Sequence, residues 1–190
     1  MIYLVLGLVV FLGVHSISIV APLWRDRIAA RFGNGWRGIY SLISIASFIV
    51  IVWGYGIARR SPVMLYAPAD WTRYITAALM LPVFTLFLAA YLPGRIRVTI
   101  KHPMLLGVML WAAAHLIATG MLANVVLFGS FLAWALADRI SFKWRTQRSI
   151  AAAPTTKLND AIAVAAGLLL YVVFEHWLHL RWIGVQPLSM

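Results

Sequence analysis

Apolar runs of bilayer length recur along this chain, separated by short basic gaps, at residues 2–24, 39–58, 71–92, 103–119, 121–137 and 160–180. A helix crosses a hydrocarbon core of about 30 Å in about 20 residues. The runs therefore predict an all-α fold, a polytopic transmembrane helix bundle of about six helices, in one domain over residues 1–190. With 63% hydrophobic and 11% charged residues and a mean hydropathy of +0.90, the chain lacks the polar surface that a soluble globule needs. Membrane lipid is the first expected partner. The opening run has no positive stretch before it and no small-residue cleavage site after it, so it reads as a span rather than a cleavable leader.

A net charge of +11 raises nucleic acid as a partner, but the basic residues sit in gaps between spans and form no face of a soluble domain. No nucleic acid partner is expected. The gaps at 25–38, 93–101 and 138–159 hold 4, 3 and 5 Lys or Arg, against 4 elsewhere. By the positive-inside rule these three loops face the cytoplasm and both termini face outward; Arg59 and Arg60 count the other way. The stretch 59–70 contains two prolines and reads as an extended loop, Pro82 is a point of bending in the third span, and the Ala, Pro and Thr tract of the last basic loop reads as flexible. No internal repeat stands out.

Chemistry concentrates on histidine. The chain has no Cys, so disulfides and thiolate ligands are absent, and any metal falls to His, carboxylate or Met. His115 lies about 12 residues into the run that starts at Pro103, and His15 lies well inside the first run; ionisable groups at such depth mark sites by default. At about 1.5 Å per residue the two fall close to the same level near mid-membrane. His102 sits at the cytoplasmic edge beside Lys101, and His176 and His179 fall at the outer interface. One imidazole from each of two helices at similar depth, within apolar walls, is what a haem iron with two axial ligands requires. Gly7, Gly13 and Gly107 would leave room for a flat macrocycle, Trp111 would line its edge, and Arg37, Arg97 or Lys101 would neutralise propionates.

Each feature also has a plainer reading. A membrane histidine serves as an interhelical hydrogen-bond donor more often than as a ligand. His176 and His179, beside Glu175, are a partial metal cluster or a solvated edge, and His102 before Pro103 is a helix-entry residue. Ser41, Ser44 and Ser47 form a small stripe suited to close helix packing. Glu175 is the one carboxylate inside a run, so paired-carboxylate catalysis is not expected.

Five ordered motifs carry a resemblance: G-x-x-x-F-L-G-x-H-S at Gly7 to Ser16, A-P-x-W-R at Ala21 to Arg25, W-R-G-x-Y-S-L-x-S at Trp36 to Ser44, W-G-Y-G-x-A-R at Trp53 to Arg59, and K-H-P-M-L-x-G-x-x-L-W-A-x-A-H-L at Lys101 to Leu116. Together they resemble the NnrU family of bacterial inner-membrane proteins. That family is in turn similar to the membrane core of plant zeta-carotene isomerase, a haem b enzyme that isomerises a cis double bond of a polyene. The resemblance implies haem b, histidine ligands at His15 and His115, and either an apolar polyene substrate or an accessory role in denitrification beside a nitrite or nitric oxide reductase. A non-enzymatic haem or electron carrier for such a reductase is the alternative.

The H-P-M-x-x-G element at His102 to Gly107 also resembles the R-H-P-x-Y-x-G signature of membrane methyltransferases and sterol reductases, where it helps bind a nucleotide-bearing cofactor. Lys101 replaces the Arg, a leucine stands where Tyr is expected, and the acidic residues that follow are missing. The likeness implies a distant fold relationship, with a methyltransferase-like membrane enzyme as the distant third alternative.

Overall fold

A computed structural model describes residues 1–145 and 152–187. The described chain is helical, with one isolated bridge between Met64 and Met121. In chain order the helices are α1 (Ile2–Val20), α2 (Pro22–Phe32), α3 (Asn34–Ala58), α4 (Thr72–Met80), α5 (Val83–Tyr91), α6 (Arg95–Ile100), α7 (Pro103–Ala118), α8 (Leu122–Ser141) and α9 (Asn159–Val173), then a π-helical turn (Phe174–Leu178) and α10 (His179–Ile183). Helices Ile2–Val20, Asn34–Ala58, Thr72–Tyr91, Leu122–Ser141 and Asn159–Ile183 are long and apolar enough to cross a membrane. α7, with 16 residues, extends only about 24 Å, so the fourth expected span is short. Side chains such as Leu42, Ile2 and Leu169 are 69%, 67% and 64% exposed, apolar surface that lipid covers and water would not tolerate. This is a membrane protein.

Several boundaries differ from those the apolar runs suggest. The basic stretch 25–38, read as a loop, is helical: Pro22 starts α2 at a position where its missing N–H costs nothing, and Gly33, at φ 49°, separates α2 from α3. The 93–101 loop contains α6, and the fifth run continues to Ser141. Arginine and lysine are good helix formers, so charge ends the hydrophobic signal without ending the helix. The bend expected at Pro82 appears as a break between α4 and α5. The 59–70 loop is pinned where Leu65 N–H donates to Gly120 O (2.8 Å) and Leu122 N–H to Val63 O (2.8 Å). Residues 146–151 of the expected 138–159 loop lie outside the described residues.

The chain divides into two compact units. The first comprises Met1–Tyr66 and the described part of Gly120–Gln147; the second comprises Ala67–Thr119 and the described part of Arg148–Met190. In the first, α1 packs along α3 and against α8. A Cβ added to Gly7 would lie 2.8 Å from the backbone nitrogen of Ile51, so glycine sets how closely α1 and α3 approach. Leu4, Leu8 and Ile51 fill this contact. Ser47 is buried and donates to Ile43 O (2.6 Å), and Ser44 donates to Tyr40 O (2.8 Å). Their hydroxyls are thus satisfied within α3.

In the second unit, α4 and α5 pack against α7, and α5 against α9. Thr76 Oγ1 donates to Ala114 O (3.1 Å) and Tyr171 Oη to Ala77 O (3.2 Å). Asp160 accepts from the backbone N–H groups of Arg95 (2.7 Å) and Ile96 (3.1 Å). A carboxylate from α9 thereby supplies acceptors to the orphan donors that begin α6.

Candidate functional site

In the first unit His15 stands on α1 with its Nδ1 2.7 Å from the carbonyl oxygen of Phe11, one turn earlier. A carbonyl only accepts, so Nδ1 carries the proton and Nε2 of the neutral ring carries the lone pair. This is the tautomer that metal-binding histidines hold by the same device. Rings surround it: Phe11 stacks at 4.2 Å between centroids, Tyr40 lies at 5.3 Å, and Trp134 of α8 stands edge-on at 5.9 Å. The indole Nε1 of Trp134 is buried without a hydrogen-bond partner.

One turn beyond Trp134 lies Asp138, 9% exposed, in an ion pair with Arg145. Arg145 Nε also donates to Ser141 Oγ (2.6 Å), Ser141 Oγ donates to Asp138 O (2.7 Å), and the guanidinium lies 4.0 Å over the Phe142 ring. The pair is thus bonded on several sides, as burial of two charges demands. Asp138 was placed at the edge of a loop by the hydrophobic pattern. Its spacing to Ser141 and Arg145, three and seven residues on, is the available signal that the three share one helical face.

In the second unit His115 lies in the last turn of α7, its Nδ1 2.8 Å from Trp111 O and its ring 5.6 Å from the Trp111 ring. Nδ1–H donation again leaves the lone pair on Nε2. Gly107, Trp111 and His115 repeat the spacing of Gly7, Phe11 and His15, so each unit carries glycine, aromatic and histidine at four-residue intervals on one helical face. No repeat was expected from the sequence pattern. Both glycines serve helix contacts: a Cβ on Gly107 would meet the Phe87 ring at 2.7 Å. Gly7 and Gly107 therefore leave no room for a macrocycle, whereas a Cβ on Gly13 would meet nothing within 4 Å.

His179 was expected at the outer interface, away from His115. The two rings instead lie 6.5 Å apart and inclined by 25°. Two local features account for this. α7 ends at Ala118, so its last turn, rather than its middle, holds His115. The π turn places His179 beside Phe174, 5.8 Å away, while His176 stays exposed. His176 and His179 therefore do not form one edge. Glu175, within the π turn, is 8% exposed and its Oε1 has no hydrogen-bond partner. π turns of this kind recur at functional sites.

Lys101 and His102 stand at the opposite end of α7 from His115, about 20 Å away along the helix. Lys101 has φ 63° and ψ −43°, and His102 N–H donates to Ile100 O at 2.8 Å. This is a classic γ-turn, a strained conformation for any residue but glycine. Of the sequence-derived site residues, the structure groups Trp111 with His115 and separates Lys101 and His102 from them. Arg37 and Lys101 are exposed. Among the described residues, no three His, Cys, Asp or Glu side chains cluster to hold a metal ion. An open apolar groove of about 500 Å³ between α1 and α3, lined by Gly7, Val10, Ile43 and Ser47 among others, contains none of the histidines.

The family model described as NnrU protein matches residues 3–187. The chain belongs to the NnrU family. No curated protein matches this NnrU family member, and no solved structure does.

Proposed function

We propose that this NnrU family member is a haem b-binding protein of the bacterial inner membrane, with His15 and His115 as the two iron ligands, multi-pass, and with both termini periplasmic. The observation that carries the reading is the shared setting of the two imidazoles. Each donates Nδ1–H to a carbonyl one turn earlier and keeps Nε2 as the electron-pair donor, the form in which histidine binds haem iron. Aromatic rings beside each, Phe11 and Tyr40 for His15 and Trp111 for His115, supply the apolar, flat-faced surroundings that suit a porphyrin.

Bound haem would supply a Lewis-acidic, redox-active iron. The chain supplies orientation: the carbonyls of Phe11 and Trp111 hold the rings, and the apolar spans exclude water. These features suit a cis–trans isomerase acting on an apolar polyene, as the likeness to zeta-carotene isomerase implies, and equally an accessory or electron-carrying role beside a nitrogen-oxide reductase. Turnover of a cis-carotene by the reduced protein separates the enzyme from the carrier. The membrane protein purified in detergent from haem-sufficient cells should show a Soret band that His15→Ala and His115→Ala each change. A colourless wild-type protein, or a band indifferent to both substitutions, overturns the reading.

A further inference from the structure

We infer that α2 is an interfacial helix whose Arg27 and Arg31 bind the headgroup of an anionic phospholipid. The inference concerns a segment outside the site proposed above and does not depend on haem. Three observations carry it.

The first is where the backbone puts the helix. α1 and α3 are long and apolar enough to cross a membrane, and α2 joins them, packing against both. Non-helical residues bound it, Ala21 at φ −138° and ψ 56° and Gly33 at φ 49° and ψ −115°. It is therefore a separate helix rather than a continuation of either span. Its 11 residues extend about 16 Å and include Arg25, Asp26, Arg27 and Arg31. A helix this short and this charged, set between two spans, belongs in the headgroup layer.

The second is which side chains it turns outward. Leu23, Arg27 and Arg31 follow one another at four-residue intervals on one helical face. All three are exposed, whereas Arg25, Ile28 and Ala29 are partly covered. Trp24, next to that face, is exposed too, with its ring edge-on to that of Trp36 in α3 at 6.0 Å. Indoles at this level anchor a chain at the membrane surface. Two guanidinium groups one turn apart are close enough to share a phosphate, which each can meet with paired N–H donors.

The third is charge. The carboxylate side chains of the first unit are Asp26 and Asp138, and they pair with Arg25 and Arg145. Arg31 lies 5.5 Å from the centre of the Phe32 ring, but among the described residues neither Arg31 nor Arg27 is in an ion pair. The anion that complements them is the phosphate of a lipid with net negative charge.

The test titrates full-length protein, delipidated in neutral detergent, with dioleoyl phosphatidylglycerol or dioleoyl phosphatidylcholine, and counts bound lipid by native mass spectrometry. Wild type is compared with Arg27→Gln combined with Arg31→Gln, and with Arg59→Gln combined with Arg60→Gln, which removes the same charge beyond the other end of α3. All are first shown to be monodisperse. Wild type should bind phosphatidylglycerol at least about tenfold more tightly than phosphatidylcholine. The Arg27 and Arg31 double variant should lose roughly 25-fold in affinity for phosphatidylglycerol, about fivefold for each arginine, while the Arg59 and Arg60 variant stays within about threefold of wild type. Equal affinity of wild type for the two lipids overturns the inference. An unaffected Arg27 and Arg31 variant also overturns it, as does an equal loss in both double variants, which would reduce the effect to net charge. Displacement of the lipid by millimolar inorganic phosphate would make this a site for free phosphate and overturn the lipid assignment.

Discussion

The two units hold the same local motif in different company. In the first, His15 sits among Phe11, Tyr40 and Trp134, with the buried Asp138–Arg145 pair one turn from Trp134. In the second, His115 has a companion imidazole and lies in the final turn of a short helix, near a π turn that contains the buried Glu175. The motif fixes the tautomer in both. The surroundings differ: rings crowd His15, whereas His115 faces a second imidazole that follows directly on a π turn.

The sharpest way to break that contrast is to remove each ligand in turn. On the haem reading proposed above, His15→Ala and His115→Ala should each lower haem content at least about tenfold; haem assay per chain measures both. Haem content unchanged in either variant would remove that histidine from the site.

The ion pair gives the next largest effect. Arg145→Met leaves the Asp138 carboxylate buried and uncompensated and should cost about 3–5 kcal/mol of stability. Thermal unfolding in detergent measures it, and adding Asp138→Leu should recover most of the loss because both charges are then gone. A single variant as stable as wild type would show that the pair does not stiffen the first unit.

The two motif glycines sharpen the comparison further. Alanine at Gly7 would press on the backbone of Ile51, which cannot yield without moving α3, and overpacking of this kind costs about 1–3 kcal/mol. Alanine at Gly107 would meet the Phe87 ring, a side chain that can turn aside, so the loss should be smaller. A reversed order in melting temperatures would contradict this reading of the packing. The smallest effect belongs to Lys101→Gly, which relaxes the positive φ of the γ-turn and should stabilise by about 1 kcal/mol, measured in the same melts. Lower stability would mean that the Lys101 side chain contributes more than its backbone costs.

The sequence made the spans, the family and the two half-buried span histidines legible because apolar length and ordered motifs are local signals. The helical character of 25–32 was hidden by its arginines, since hydropathy reports what faces lipid and not where backbone hydrogen bonds continue. The same limit put Asp138 in a loop, although Ser141 and Arg145 follow it at spacings that place all three on one face. The closeness of His179 to His115 was hidden for a different reason. Depth arithmetic assumes ideal helices of full bilayer length, and here α7 is short and the last span contains a π turn that no local pattern announces. Which helices pack together within each unit is information that spans of similar hydropathy do not carry.

The most direct test of the proposed haem ligation by His15 and His115 is the low-temperature electron paramagnetic resonance spectrum of the purified ferric protein. The expected result is a low-spin signal of six-coordinate iron with two imidazole ligands, absent from His15→Ala, where any remaining haem becomes high spin. A wild-type protein without a haem iron signal, or a low-spin signal unchanged in His15→Ala, would contradict it.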